Sequence, residues 1–265
     1  MDIQSLPTAI PDRPRRSRLA LLDFLLACFD AQSDSVQVVQ VGANDGKLDD
    51  PILPYWSKPH WKGVLIEPHP LYFSSLASLH AANPNVTLVN AAVSQVAGSM
   101  TLYHLDETYS GAYPGWLRGC ASLDRGRMLA AIDRANRKTG ADVPHSAVAE
   151  TTVAARRLDE ILTDTGVSAA DILVIDVEGH ERSVLDSFDP ARLGLSLAIV
   201  ECNAGDPAEQ DAIVSALSAA GLTPYRLAND IVALRPGRVN IPIEAMFHFN
   251  NLVPLAVQET VEPNP

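Results

Sequence analysis

A chain of 265 residues, 47% of them hydrophobic, is long enough for one α/β domain with insertions or for two small domains, with ample apolar material for a core. Its 32 Asp and Glu against 20 Lys and Arg give a formal charge of −12, which argues against a long groove for an anionic polymer, because phosphate recognition needs clustered cations. Three widely spaced cysteines, Cys28, Cys120 and Cys202, lack zinc spacing and read as reduced thiols of a cytoplasmic protein.

Residues 1–35 read as an N-terminal segment: a proline-containing, irregular start to Pro14, then a helix from Ser17 to Ala31. The basic cluster Arg13, Arg15, Arg16 and Arg18 precedes the apolar stretch Leu19–Phe29, as in a secretion signal. Asp23 interrupts that stretch, no small-x-small cleavage site follows, and it is too short to span a bilayer, so a buried helix is expected. Val36–Gly42 reads as a central parallel strand, apolar apart from Gln37 and Gln40. A turn and short helix follow over Asp45–Trp56. Gly63–Glu67 is the second strand and Leu71–Ala82 a helix, with Leu71, Ser75, Leu79 and Ala82 on one face. Val86–Ser94 is the third strand, and Ser99–His104 is expected to extend the same sheet.

Residues 106–150 break this rhythm with several Gly and Pro and a helix over Leu123–Lys138, and read as a lid or substrate-binding insertion. Thr151–Ala155 reads as a strand and Leu158–Thr165 as a short helix. Asp171–Val177 and Leu195–Cys202 are the fourth and fifth core strands, and Pro207–Ala220 is a helix closed by Gly221. Thr223–Leu227 and Ile231–Leu234 form a hairpin across Asn229 and Asp230. A tail over 236–265, apolar in patches such as Met246–Phe249, is expected to pack on the single domain. This alternation predicts a doubly wound, seven-stranded, mostly parallel sheet with the last strand antiparallel, the methyltransferase variant of the Rossmann-like class.

Two features point to a nucleoside-containing cofactor. The run Val41-Gly42-Ala43-Asn44-Asp45-Gly46 feeds a strand into a glycine turn, where the absent Cβ atoms let a ligand approach the backbone. Glu67 ends the next strand about 20 residues on, where a carboxylate can accept hydrogen bonds from a ribose diol. The competing readings are an ordinary strand-to-helix turn and a surface glutamate.

The segments Val41–Gly46, Trp61–Pro70, Asn90–Ser94, Arg157–Leu162 and Asp171–Glu181, in that order, resemble the FkbM-type S-adenosylmethionine-dependent methyltransferases. The run Asp176-Val177-Glu178-Gly179-His180-Glu181 is the most diagnostic piece. One position departs from the family, whose first strand often has an acidic residue where this chain has Gln40. The resemblance implies that Gly42, Asn44, Asp45, Gly46 and Glu67 bind S-adenosyl-L-methionine, with the adenine near Asn90, Ala91 and Ala92. It places Asp176 at the methyl-transfer site.

His180 is expected at a helix N-terminus, with Val184, Leu185 and Phe188 on one face. The helix dipole disfavours imidazolium there, leaving a neutral ring able to act as a base. The alternative is a histidine that only fixes the turn. Asp176, Glu201 and Asn203, at the ends of adjacent strands, offer hard oxygen ligands for Mg²⁺, or hydrogen bonds within the cleft. Trp116, Ser122 and Glu178 are candidate substrate contacts: Ser122 and Asp124 can hydrogen-bond substrate or cofactor, and Tyr109, Tyr113 and Trp116 can wall an apolar pocket, the alternative being a surface insertion with its own small core.

The expected function is O-methylation of a hydroxyl on a small metabolite: a sugar, polyketide or related natural product. The alternatives are a carboxylate acceptor methylated by positioning alone and a non-catalytic cofactor-binding protein. A nicotinamide enzyme is disfavoured because the turn lacks G-x-G-x-x-G spacing. The expected partner is a small molecule, with no nucleic acid and no membrane; a homo-oligomer is compatible with the sequence.

Overall fold

The computed structural model describes residues 18–109, 111–202, 207–240 and 253–254. The N-terminal helix α1 spans Arg18–Gln32, and β1 (Val36–Val41) and β2 (Trp61–Ile66) follow. Next come α2 (Pro70–His80), β3 (Val86–Val89), β4 (Ala92–Val93) and β5 (Gly98–Leu105). The insertion contributes α3 (Arg125–Thr139) and leads into β6 (Val148–Arg156) and α4 (Leu158–Asp164). The chain then runs through β7 (Ile172–Ile175), α5 (Glu181–Leu185), β8 (Leu197–Glu201) and α6 (Pro207–Ala219). It closes with β9 (Thr223–Leu227), β10 (Asp230–Leu234) and the two-residue β11 (Val253–Pro254).

The main sheet has the order β11-β9-β10-β8-β7-β1-β2-β3. Without the short β11, the seven core strands in chain order stand as 3-2-1-4-5-7-6. The seventh, β10, is antiparallel to both its neighbours, as expected from sequence. Strand alternation divides the apolar side chains between two faces. Val36 and Val38 of β1, with Leu65, Ile172, Val174 and Leu197, meet Leu22, Leu25, Leu26 and Phe29 of α1. Val39 and Val41, with Val64, Leu173, Ile175 and Val200, meet Leu158 of α4, Val184 of α5 and Leu217 of α6. Both faces are covered, which is why the central strands are nearly all apolar. Each such buried side chain contributes roughly 1.5–3 kcal/mol.

Three expectations are corrected. Val86–Ser94 is not one strand: β3 ends at Val89, and β4 leaves the main sheet to pair with β6. Ser99–His104 does not extend the main sheet; β5 pairs antiparallel with β6 in a separate three-stranded sheet. The buried face of α2 is Tyr72, Leu76 and His80, one residue on from the expected stripe, and Leu71 is exposed. Rings decide that face: His69 stacks on Tyr72 with centroids 4.1 Å apart, and Trp56 meets His80 edge-on at 6.1 Å.

The insertion has its own small core, in which Leu105, Leu117, Met128, Ile132 and Ala135 pack with Tyr113. Asp124 caps α3 by accepting from Gly126 N, and Gly140 ends it in the left-handed conformation. Among the described residues, no helix is long and apolar enough to cross a membrane. The segment Met246–Phe249 and the basic residues Arg13 to Arg16 lie outside the described residues.

Candidate functional site

The carboxyl ends of β1, β2, β7 and β8 open onto a cavity of about 360 Å³, roofed by the insertion. Its walls include Gly42, Ala43, Asn44, Glu67, Ala91, Ala92, Asp176, Glu178, His180 and Glu201, with Trp116 and Arg134 from the insertion. An open α/β sheet offers its ligand site at this edge.

The first strand delivers its turn by backbone fit. Gly42 has φ 86°, and a Cβ there would lie 1.8 Å from the Asp176 carbonyl oxygen. Strand β1 therefore meets the exit of β7 at a distance that only glycine permits. Asn44, also left-handed at φ 49°, donates its amide to Glu67 Oε2 at 2.8 Å. Glu67 Oε1 accepts from His69 N at 2.8 Å, so the carboxylate fastens the glycine turn to the loop after β2. Burial, only partly opposed by those two amides, pushes the Glu67 carboxyl up to about 7.

Several sequence-predicted residues do not line the cavity, Asp124 among them. Asp45 turns back to accept from Lys47 N at 2.9 Å and Leu48 N at 3.0 Å. Gly46 packs on α2: a Cβ there would lie 2.7 Å from Leu76 Cδ1. Asn90 donates from Nδ2 to Glu67 O at 2.7 Å and Pro68 O at 3.1 Å, fixing the loop that carries the carboxylate. Ser122 is buried; its Oγ donates to Glu178 O at 2.7 Å and accepts from Asp124 N at 3.0 Å. Tyr113 and Tyr109 belong to the core of the insertion, and Trp116 alone of that aromatic group reaches the cavity.

The exit of β7 carries the chemistry. Glu181 is 1% exposed and its Oε1 accepts from Gly179 N at 2.9 Å, so a buried carboxylate moulds the loop from inside. Glu178, at φ 52°, turns into the cavity wall. Carboxylate oxygens of Asp176, Glu178 and Glu201 all lie within 4.8 Å of one another. The register explains the grouping. Ile175 pairs with Val200, so Asp176 and Glu201 continue the same row, and Asp230 pairs with Glu201 across the next ladder. Asn203, expected in this group, lies outside the described residues; Glu178 stands with Asp176 and Glu201, and Asp230 pairs with Glu201. Burial and the neighbouring Asp176 and Glu178 push Glu201 up to about 9.

His180 caps α5 as expected, with Val184, Leu185 and Phe188 buried below it. Its Nε2 stands 3.3 Å from Ser94 Oγ, which in turn is 3.3 Å from Ser183 Oγ. Burial lowers its pKa, disfavouring the charged imidazolium. Arg134 lies over the Trp116 ring at 5.0 Å and opposes the upward, burial-driven shift of Glu178.

No curated protein sequence matches the chain. Among solved structures, an FkbM methyltransferase from Methylobacillus flagellatus KT aligns at 13% identity and TM-score 0.45, over 76% of this chain. This chain spans only 44% of that protein's length. The N-terminal domain of human METTL16, in complex with SAH, aligns at 13% identity and TM-score 0.41, covering 85% of this chain and 71% of that one. A precorrin-6y C5,15-methyltransferase from Geobacter metallireducens GS-15 aligns at 13% identity and TM-score 0.37, covering 88% and 94%. The family model for the Methyltransferase FkbM domain matches residues 40–222, from the last two residues of β1 to just beyond α6. The chain therefore belongs to the FkbM family of S-adenosylmethionine-dependent methyltransferases.

Proposed function

We propose that this chain transfers the methyl group of S-adenosylmethionine to a hydroxyl oxygen of a small metabolite, a sugar, polyketide or related natural product, with His180 as general base. The observation that carries the reading is a half-buried imidazole on the cavity wall whose pKa burial lowers. Such a ring is neutral at neutral pH and can take a proton from an acceptor hydroxyl. The donor supplies a methyl group already activated by its sulfonium charge. The protein's share is to align the acceptor, exclude water and remove one proton. Glu67, Asn44, Ala91 and Ala92, suited to the nucleoside, share the cavity wall with Asp176, Glu178, Trp116 and His180. The cavity size favours a small molecule over a nucleic acid or a membrane surface, in a single cytoplasmic domain with residues 106–150 as its lid.

Replacing His180 tests this. His180→Ala is expected to lower kcat about 10²–10⁴-fold for a hydroxyl acceptor, with affinity for S-adenosylhomocysteine nearly unchanged. His180→Asn keeps hydrogen bonding at the turn and removes the base. Near-normal turnover in the Asn variant would favour a carboxylate acceptor methylated by positioning alone.

The grouped carboxylates favour a second reading of the same site. Their hard oxygen donors suit Mg²⁺ in kind, and Asp176, Glu178 and Glu201 would hold it. The ion would polarise the acceptor hydroxyl. Turnover should then fall on chelation and return with Mg²⁺, and full activity of metal-free protein in excess chelator rejects the metal.

A further inference from the structure

We propose that Ser94 is the positioning residue for His180, holding its Nε2–H so that Nδ1 is the atom that takes the acceptor's proton. The inference rests on the reading of His180 as general base. Ser94 is 6% exposed and does not line the cavity, whereas His180 does. Ser94 can therefore act on the acceptor only through the ring, as the third group that orients a base.

The fold sets the serine there by the departure of β4 from the main sheet. Ala92 and Val93 pair with Ala155 and Arg156 of β6, and Ser94 N donates to Arg156 O at 2.9 Å. That pairing carries the chain across to α5. Gln95 N donates to Ser183 Oγ at 3.2 Å, and Gln95 Nε2 to Asp186 Oδ2 at 2.8 Å. Arg157 Nη1 donates to Gln95 O at 2.8 Å. These bonds hold the backbone of Ser94 and Gln95 against α5, so the serine hydroxyl has a fixed place beside the residue that caps the helix.

From there Ser94 Oγ is 3.3 Å from His180 Nε2 and 3.3 Å from Ser183 Oγ. The three groups form a chain that can carry its hydrogens in either direction. If Ser94 donated to Nε2, the single hydrogen of the neutral ring would sit on Nδ1, and neither nitrogen would keep a lone pair for the acceptor. In the other direction Nε2–H donates to Ser94, Ser94 donates to Ser183, and Nδ1 keeps its lone pair. Among the described residues the ring's hydrogen bond is made by Nε2, and Nδ1 makes none. A base on the cavity wall needs this second arrangement. When the acceptor hydroxyl gives its proton to Nδ1, the ring becomes an imidazolium and Nε2–H stays on Ser94, so the ring keeps its orientation through the transfer.

Nuclear magnetic resonance of the full chain with isotope-labelled histidine tests this. Long-range proton–nitrogen correlations, recorded at about pH 8 where an imidazole is neutral, separate a protonated ring nitrogen from a bare one. The His180→Asn variant identifies which signals belong to His180. The wild type is expected to show Nε2 protonated and Nδ1 bare, with the two signals far apart. Ser94→Ala removes the acceptor for Nε2–H, so both tautomers should populate and the separation shrink by about a third or more. Ser94→Thr returns the hydroxyl and should restore it. Affinity for S-adenosylhomocysteine should stay within about twofold of wild type in both variants, because Ser94 lies outside the cavity wall. Nδ1 protonated in the wild type, an unchanged separation in Ser94→Ala, or a larger loss of S-adenosylhomocysteine affinity overturns the proposal. A fixed Nε2–H tautomer together with near-normal turnover of His180→Asn would instead overturn the general-base reading beneath it.

Discussion

A carboxylate as buried as Glu67, at 5% exposure, costs free energy unless donors reach it. Two backbone amides do so, from Asn44 and His69, and each carboxylate oxygen can accept once more. A ribose diol facing the cavity would supply the further donors. Glu67→Gln is therefore expected to weaken S-adenosylhomocysteine binding by about 1–3 kcal/mol in calorimetry. An unchanged dissociation constant would mean that Glu67 serves only to organise the turn. The glycine turn and this carboxylate are legible in sequence because both follow apolar runs. What sequence cannot show is which atoms demand the glycines. Gly42 yields to the Asp176 carbonyl and Gly46 to Leu76, so both are set by protein contacts as well as by any ligand. Asp45 and Asn90 mislead for a related reason: short polar side chains beside a site often spend their hydrogen bonds on nearby backbone.

The elements that form the roof are tied to the chemistry by one hydrogen bond in particular. Ser122 belongs to the segment leading into α3 and bridges to β5 through Tyr103, with 2.9 Å from Ser122 N to Tyr103 O. Its hydroxyl reaches Glu178 O, on the left-handed loop that presents His180. Ser122→Ala should loosen that loop, lowering kcat by about 10-fold while leaving cofactor affinity within about twofold, because positioning errors tax the chemical step most. Equal loss in cofactor affinity would show instead that the roof holds the donor. Element order was legible from the alternation of apolar runs with amphipathic segments. The departure of β4 from the main sheet was not, since Val86–Ser94 reads as one apolar stretch, and the pairing that splits it comes from β6, more than fifty residues later. Asp230 went unnoticed likewise, because only the antiparallel register with Glu201 brings it into the acidic row.

At the scale of the whole molecule, burying several carboxylates around one cavity sets how stability depends on pH. Glu67 and Glu181 are each pushed up to about 7, and Asp50 to about 6, in every case chiefly by burial. A folded-state pKa above the unfolded value means that the native chain binds more protons than the unfolded chain across the interval between them. Stability from these groups is full below the carboxylate range and is lost as pH rises through about 7. Buried histidines act in the opposite sense: His69 is lowered to about 4, and His80 and His180 are also lowered, so their contribution is lost only as pH falls below about 6.5. The cysteines and tyrosines with resolved shifts are raised and stay protonated below pH 8. Between about pH 6.5 and 8 the carboxylates therefore act alone, with Glu201, pushed up to about 9, among them, and the ligand-free protein should lose on the order of 3 kcal/mol in urea unfolding. Glu181→Gln keeps an acceptor for Gly179 N while removing the ionisation, and should flatten roughly a quarter of that decline. Saturating S-adenosylhomocysteine should flatten the share due to Glu67, because donors on the ribose favour its ionised form. A stability that rises over this interval, or a decline that Glu181→Gln leaves untouched, would show that these carboxylates do not govern it.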